Sequence, residues 1–149
     1  MVVVDTNILV YAADRDSPFH AACRKWLEGR QARPDAWFTT WPILYEFLRV
    51  TTHPRVMRQP WKAPAAWGFV AALLASPGLS VLVPTLRHAE VAAQVIEELP
   101  HLAGNLLHDA HTAILMREHG IRRICTRDAD FHRFPFLEVD DPLQSRESS

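Results

Sequence analysis

The sequence predicts an α/β fold, a single domain with a parallel β-sheet flanked by helices. Three observations predict it. Short apolar runs such as Val2-Val3-Val4 and Ile124-Cys125-Thr126 recur along the chain and read as buried strands. Longer segments between them carry apolar residues at helical spacing. Strand and helix signals alternate throughout, the pattern of strands joined by helical crossovers. A chain of 149 residues suits one domain with a sizeable core.

Val2 to Val4 is the first strand: short, continuous and β-branched. Asn7 to about Ala13 continues as a loop or a first helical turn. Ser17-Pro18 reads as a helix start, an N-cap followed by Pro at the first helical position. The stripe Phe19, Ala22, Cys23, Trp26 and Leu27 carries that helix towards Gly29. Ala36 to Thr39 is the second strand. Thr39 or Thr40 then caps a helix with Pro42 near its start; Ile43, Leu44, Phe47, Leu48 and Val50 lead to Thr51 or Thr52, and Pro54 stops it. His53 to Pro64, dense in Pro, Arg and Trp, is an irregular connection. Ala65 to Ala75 is helical, Ser76-Pro77-Gly78 a turn, and Leu79 to Val83 a strand. Leu86 to Leu99 is a helix ended by Pro100. Asn105 caps a helix from Leu106 to His119, with Gly120 at its C′ position. Arg122 to Thr126 and Leu137 to Val139 are the last strands. The domain spans residues 1–143, and residues 144–149 form a polar tail that frays.

The formal net charge of −1 argues against a broad basic coat for nucleic acid. Cys23 and Cys125 make neither a disulfide framework nor a paired-cysteine metal site, so a reducing cytoplasm is the expected location. Met1-Val2-Val3-Val4 has no basic leader and no apolar stretch reaches membrane-spanning length, so no membrane role is expected.

The informative residues are acids in apolar company. Asp5 ends the first strand and opens Asp5-Thr6-Asn7; Asp128 and Asp130 follow the strand near Ile124, in Thr126-Arg127-Asp128-Ala129-Asp130-Phe131. Glu46 and Asp109 lie inside segments that read as buried helices, each about four residues after a helix start, where the dipole favours negative charge. In a parallel sheet, sites form outside the carboxyl ends of the strands, where Asp5 and Asp128 fall. Carboxylates gathered there repel one another and call for a hard divalent cation, Mg²⁺ or Mn²⁺. A cation so held suits hydrolysis of a phosphodiester. If the cation neutralises these acids, the rest of the surface carries a balance of about +4, which suits an anionic substrate.

The same segments resemble the PIN-domain ribonucleases and, more narrowly, the VapC-type toxins of bacterial toxin–antitoxin pairs. The resemblance rests on Asp5-Thr6-Asn7, on Glu46, on His108-Asp109-Ala110-His111 and on Thr126 to Phe131, and extends to Phe134-Pro135 and Asp141-Pro142-Leu143. It covers nearly the whole chain, in order. It implies a PIN-like, Rossmann-like sheet, an endoribonuclease with Mg²⁺ or Mn²⁺, single-stranded or structured RNA as substrate, and a VapB-type antitoxin as partner; homodimers are common among such proteins. It further implies Asp5, Glu46, Asp109 and Asp128 as the catalytic, metal-binding acids, with Asp130 as an outer ligand or a cap of the following turn. Thr6 or Asn7 would orient Asp5, and Thr126 would support the site. Arg15, Arg49 and Arg127 are candidate phosphate contacts, as are Arg55 and Arg58. The density of Pro and Trp between His53 and Trp67 departs from the family pattern.

Each residue has a plainer reading. Asp5, Asp128 and Asp130 are good turn formers. Glu46 can pair with Arg49 three residues on. His108 and His111 lack the spacing of a zinc helix and a third ligand, so a core or supporting role suits them better. Trp26, Trp37 and Trp41 sit on apolar stripes and read as core, whereas Trp61 and Trp67 mark a candidate partner groove between the helices flanking residue 53. Two other functions compete. One is an inactive PIN-type scaffold or RNA-binding module. The other is a phosphatase of the haloacid dehalogenase type, which needs a second Asp where Asn7 stands.

Overall fold

The computed structural model describes residues 1–144; residues 145–149 of the expected polar tail lie outside the described residues. The chain runs β1 (Val2–Val4), α1 (Thr6–Ala13), α2 (His20–Gln31), β2 (Trp37–Thr40), α3 (Trp41–Thr51), α4 (Ala63–Leu74), β3 (Leu79–Leu82), α5 (His88–Glu98), α6 (Leu106–Glu118), β4 (Arg123–Cys125), a 3-10 turn (Ala129–Arg133) and β5 (Glu138–Asp140). The strands pair in parallel in the order β3-β2-β1-β4-β5. This is the α/β architecture that the alternation predicts.

The order explains the burial. Right-handed crossovers carry the chain from β1 outward to β2 and β3, then back past β1 to β4. They place α1 to α4 on one face of the sheet and α5 and α6 on the other. The principal helix contacts fall into the same two groups: α1 with α2 and α3, α3 with α4, and α5 with α6. β1 is therefore covered twice, and Val2, Val3 and Val4 are buried with no polar alternation. Phe47 of α3 stacks on Phe69 of α4 with ring centroids 4.8 Å apart, and Trp61 closes the gap beside them.

Several helix starts differ from expectation, each for a local reason. Asn7 to Ala13 is a complete helix, because Asp5 caps it through the Thr6 N–H. The Ser17 hydroxyl accepts from the Phe19 N–H two residues on, closing a turn, so α2 begins only at His20. Asn105 takes helical dihedrals and makes no side-chain cap to α6. The C-terminus of α6 follows the sequence reading: Gly120 has φ +73°, and the Ile121 N–H donates to the Met116 carbonyl at 2.8 Å. Trp37 is fully buried, as expected of a core residue, but Trp41 is exposed at the outer face of α3.

Candidate metal centre at the carboxyl edge of the sheet

Strand order decides where the site forms. The crossovers change direction between β1 and β4, and in open parallel sheets that switch opens a crevice beyond the strand ends. The register pairs Val4 with Cys125, so the next residues, Asp5 and Thr126, leave the sheet side by side. The Asp5 N–H donates to the Cys125 carbonyl at 3.0 Å. Two segments 121 residues apart in sequence thus meet at one point.

A hydrogen-bond network locks them together. The Thr126 hydroxyl donates to Asp5 Oδ2 at 2.8 Å and accepts from Asn7 Nδ2 at 2.9 Å and from the Asp128 N–H at 3.0 Å. Asn7 Nδ2 also donates to Asp5 Oδ2 at 3.2 Å, while Asn7 Oδ1 accepts from the Arg127 N–H at 3.0 Å. The Thr6 N–H donates to Asp5 Oδ1 at 2.8 Å, and the Thr6 hydroxyl donates to the Ile43 carbonyl, tying α1 to the start of α3. Thr126 is fully buried, so its hydroxyl has these partners in place of solvent. Thr6, Asn7 and Thr126, the residues expected to support the site, each hydrogen-bond to the Asp5 carboxylate.

Asp109, in the first turn of α6, faces this network together with Asp128 and Asp130. Each offers a carboxylate oxygen, and the three oxygens lie within 4.8 Å of one another. Asp128 also caps the 3-10 turn, accepting from the Asp130 N–H at 2.9 Å. The cap places Asp130 with the other two; the turn-forming and ligand readings of this pair are compatible.

The electrostatics are those of crowded carboxylates. Burial, reinforced by the charges of Asp128, Asp5 and Asp130, pushes the Asp109 carboxyl up to about 7. Burial also raises Asp5; the hydrogen bonds from Thr126 and Thr6 work against it, and the Asp128 charge adds to it. A divalent cation would relieve this repulsion. The donors are all carboxylate oxygens, which fit Mg²⁺ or Mn²⁺ and not a soft ion. Cys23 and Cys125 are buried in the core instead. His111 packs edge-on to His88, 5.9 Å between centroids, and burial lowers its pKa. A cleft of about 380 Å³ opens beside Asp128, lined by Thr126, Arg127, His132, Asp140 and Asp141.

Four expected site residues stand differently. Glu46 lies in the second turn of α3, since the helix starts at Trp41, and it is exposed rather than in apolar surroundings. It pairs with Arg49: Nε to Oε1 at 3.0 Å and Nη2 to Oε2 at 2.6 Å. The bond to Arg49 holds the Glu46 carboxyl below its usual range. Arg49 is accordingly engaged and not free for phosphate. Arg127 lies over the Phe19 ring, 4.2 Å from its centroid, and its Nε meets Asp141 at 3.2 Å, which removes it as a free phosphate contact. Arg15 is exposed but lies past the far end of α1, about 12 Å along the helix from Asp5.

One cluster escapes the sequence reading altogether. Glu118, its side chain fully covered, accepts from the Thr85 N–H and hydroxyl and from His88 Nδ1 at 2.6 Å. Burial works to raise its pKa, and the bonds from Thr85 and His88 outweigh it, bringing the carboxyl down to about 2. It ties the loop after β3 to the end of α6. Partners 30 and 33 residues away leave no local sequence signal.

Known proteins resemble this chain over nearly its whole length. The family model of the PIN domain matches residues 2–137. Ribonuclease VapC37 of Mycobacterium tuberculosis is 34% identical over 142 residues, covering 95% of this chain and 97% of that protein. The structure of VapC20 from the same organism, described as a sarcin–ricin loop cleaving toxin, superposes with a TM-score of 0.64 at 20% identity, over 93% of this chain and 98% of that one. VapBC2 of Rickettsia felis, bound to a DNA fragment from its promoter, superposes with a TM-score of 0.66 at 16% identity, over 95% and 98% of the two chains.

Proposed function

Since this chain belongs to the PIN-domain family, we propose that it is a ribonuclease that hydrolyses RNA phosphodiester bonds with a divalent cation and acts as the toxin of a toxin–antitoxin pair. The observation that carries the reading is the meeting of Asp109, Asp128 and Asp130 at the switch point of the sheet, beside an Asp5 held by three neighbours. The identity of 34% to a ribonuclease over nearly the whole chain supports the substrate class.

Asp109, Asp128 and Asp130 would hold Mg²⁺ or Mn²⁺, with Asp5 and Glu46 completing the acidic set. When bound, the cation supplies Lewis-acid stabilisation of charge developing on the scissile phosphate. This chain's residues do the rest. Thr126 and Asn7 fix the Asp5 carboxylate in one orientation, so no reorganisation of that group is needed during reaction. Burial and the neighbouring acids push the Asp109 carboxyl up to about 7, so a bound cation would favour its ionised form. The cleft beside Asp128 offers room for the RNA chain on one side of the acids. The partner proposed is a VapB-type antitoxin; the resemblance in fold to a chain of the VapBC2 structure supports it.

The test is cleavage of RNA by purified protein with Mg²⁺ or Mn²⁺. Excess EDTA abolishes cleavage, and Asp5→Asn lowers it by at least about a hundredfold, the scale of losing metal-site groups. Cleavage that persists in EDTA overturns the proposal.

A further inference from the structure

Arg49 occupies both oxygens of Glu46, and the pair stands outside the group formed by Asp109, Asp128 and Asp130. Glu46 nonetheless lies on the half of α3 that docks beside Asp5. The Thr6 hydroxyl holds the Ile43 carbonyl at 3.1 Å, which docks this turn of α3 against the residue that follows Asp5. Glu46 is three residues beyond Ile43, on the same side of the helix one turn along. His108, adjacent to Asp109 in α6, also acts to lower the Glu46 carboxyl. A carboxylate so placed can face either the cation site or its own helix. The three-residue spacing to Arg49 favours the helix while no cation is present.

We propose that Arg49 is a positioning residue that withholds Glu46 from the cation site until a divalent cation displaces it. The inference rests on the proposed metal-dependent function. Both partners are about half exposed, with side-chain exposures of 58% and 46%, so the pair is solvated and weak. A divalent cation held by three carboxylates competes with it readily. Exchange leaves the guanidinium free at the rim of the acidic site, where its fork matches the oxygens of an RNA phosphate. Arg49 thereby sets a threshold on cation affinity, and its charge turns from Glu46 towards substrate as the site fills.

The experiment is a calorimetric Mn²⁺ titration of the RNA-free protein, on wild type, Arg49→Gln, Glu46→Gln and the double variant. Both side chains are exposed, and a thermal melt of each variant checks that the fold is kept. Arg49→Gln tightens Mn²⁺ binding by up to about fivefold, the equivalent of one exposed ion pair. Glu46→Gln weakens it. In the Glu46→Gln background, removing Arg49 has no further effect, because there is nothing left to release. Loss of a positive charge near a cation site could by itself tighten binding, but that effect would persist in the Glu46→Gln background and would overturn the proposal. So would equal or weaker binding by Arg49→Gln. A wild type that binds no Mn²⁺ overturns the metal-dependent function as well, which separates the two failures.

Discussion

Thr126 concentrates more of the site's order in one atom than any of the acids. Its hydroxyl meets Asp5, Asn7 and the Asp128 backbone within 3.0 Å, so it aligns residues that follow two different strands. Thr126→Val keeps the shape and removes every one of those bonds. The Asp5 carboxylate then loses its strongest orienting contact, and Mn²⁺ affinity and RNA cleavage both fall by about 10–100-fold. Thr126→Ser restores most of both. Calorimetry and initial rates on the two variants decide it; a Val variant with unchanged affinity would remove Thr126 from the site. Asp130 illustrates the opposite relation to sequence. Its two readings, cap and ligand, compete on paper, yet a cap on Asp128 is what brings it to Asp109.

Short strands make connections matter at the element scale. β2 and β3 pair from Trp37 and Leu79 onward, and the backbone entering each is pressed together before pairing begins. The Gly78 carbonyl accepts from the Trp37 N–H at 3.0 Å, and a Cβ on Gly78 would stand 2.1 Å from the Asp35 carbonyl oxygen. The contact is with backbone, which cannot turn aside as a side chain would. Gly78→Ala therefore costs about 1–3 kcal/mol by overpacking, read as a lower midpoint in urea unfolding. Gly68, with open space around its Cβ position in α4, is the control: Gly68→Ala holds or raises stability, since Ala is the better helix former. The sequence marks Ser76-Pro77-Gly78 only as a turn. The close approach to Asp35 depends on a partner 43 positions earlier, and no local pattern carries that information.

At the scale of the whole molecule, the acidic centre is a stability cost that a bound cation would relieve. Asp109, at about 7, and Asp5 both bind protons more tightly folded than unfolded. Below the usual carboxylate range both states are protonated and nothing is lost. As pH rises towards 7 the unfolded chain ionises first, and above 7 the folded state carries the full repulsion. Stability of the cation-free protein attributable to Asp109 thus falls as pH rises from about 4 through about 7. Glu118 acts in the opposite sense, its contribution present above the ordinary carboxylate range and lost as pH falls towards 2. The measurement that isolates Asp109 is the difference in melting temperature between wild type and Asp109→Asn in EDTA, from about pH 5 to pH 8. The variant gains on wild type as pH rises, and Mn²⁺ raises the wild-type midpoint more at the alkaline end. A difference that does not change with pH would show that Asp109 is not held up. No helix among the described residues is long and apolar enough to cross a membrane, in keeping with the composition.

The sequence by itself determined the fold class and the order of strands and helices, and it put Asp5 and Asp128 just past strand ends. Those features are local: β-branched runs, helical spacing and the strand-end positions of Asp5 and Asp128 are written in neighbouring residues. Helix starts were legible only to within a few positions: Ser17 and Asn105 have cap chemistry in sequence, but in the fold Ser17 closes a turn ahead of α2, and Asn105 takes helical angles and makes no side-chain cap. Only the tertiary structure decided the partners of the charged groups. Arg49 paired with Glu46, Phe19 and Asp141 engaged Arg127, and the buried Glu118 found Thr85 and His88. A carboxylate or guanidinium goes to the nearest opposite charge or donor in space, and proximity in space is set by packing that no stretch of neighbouring residues records.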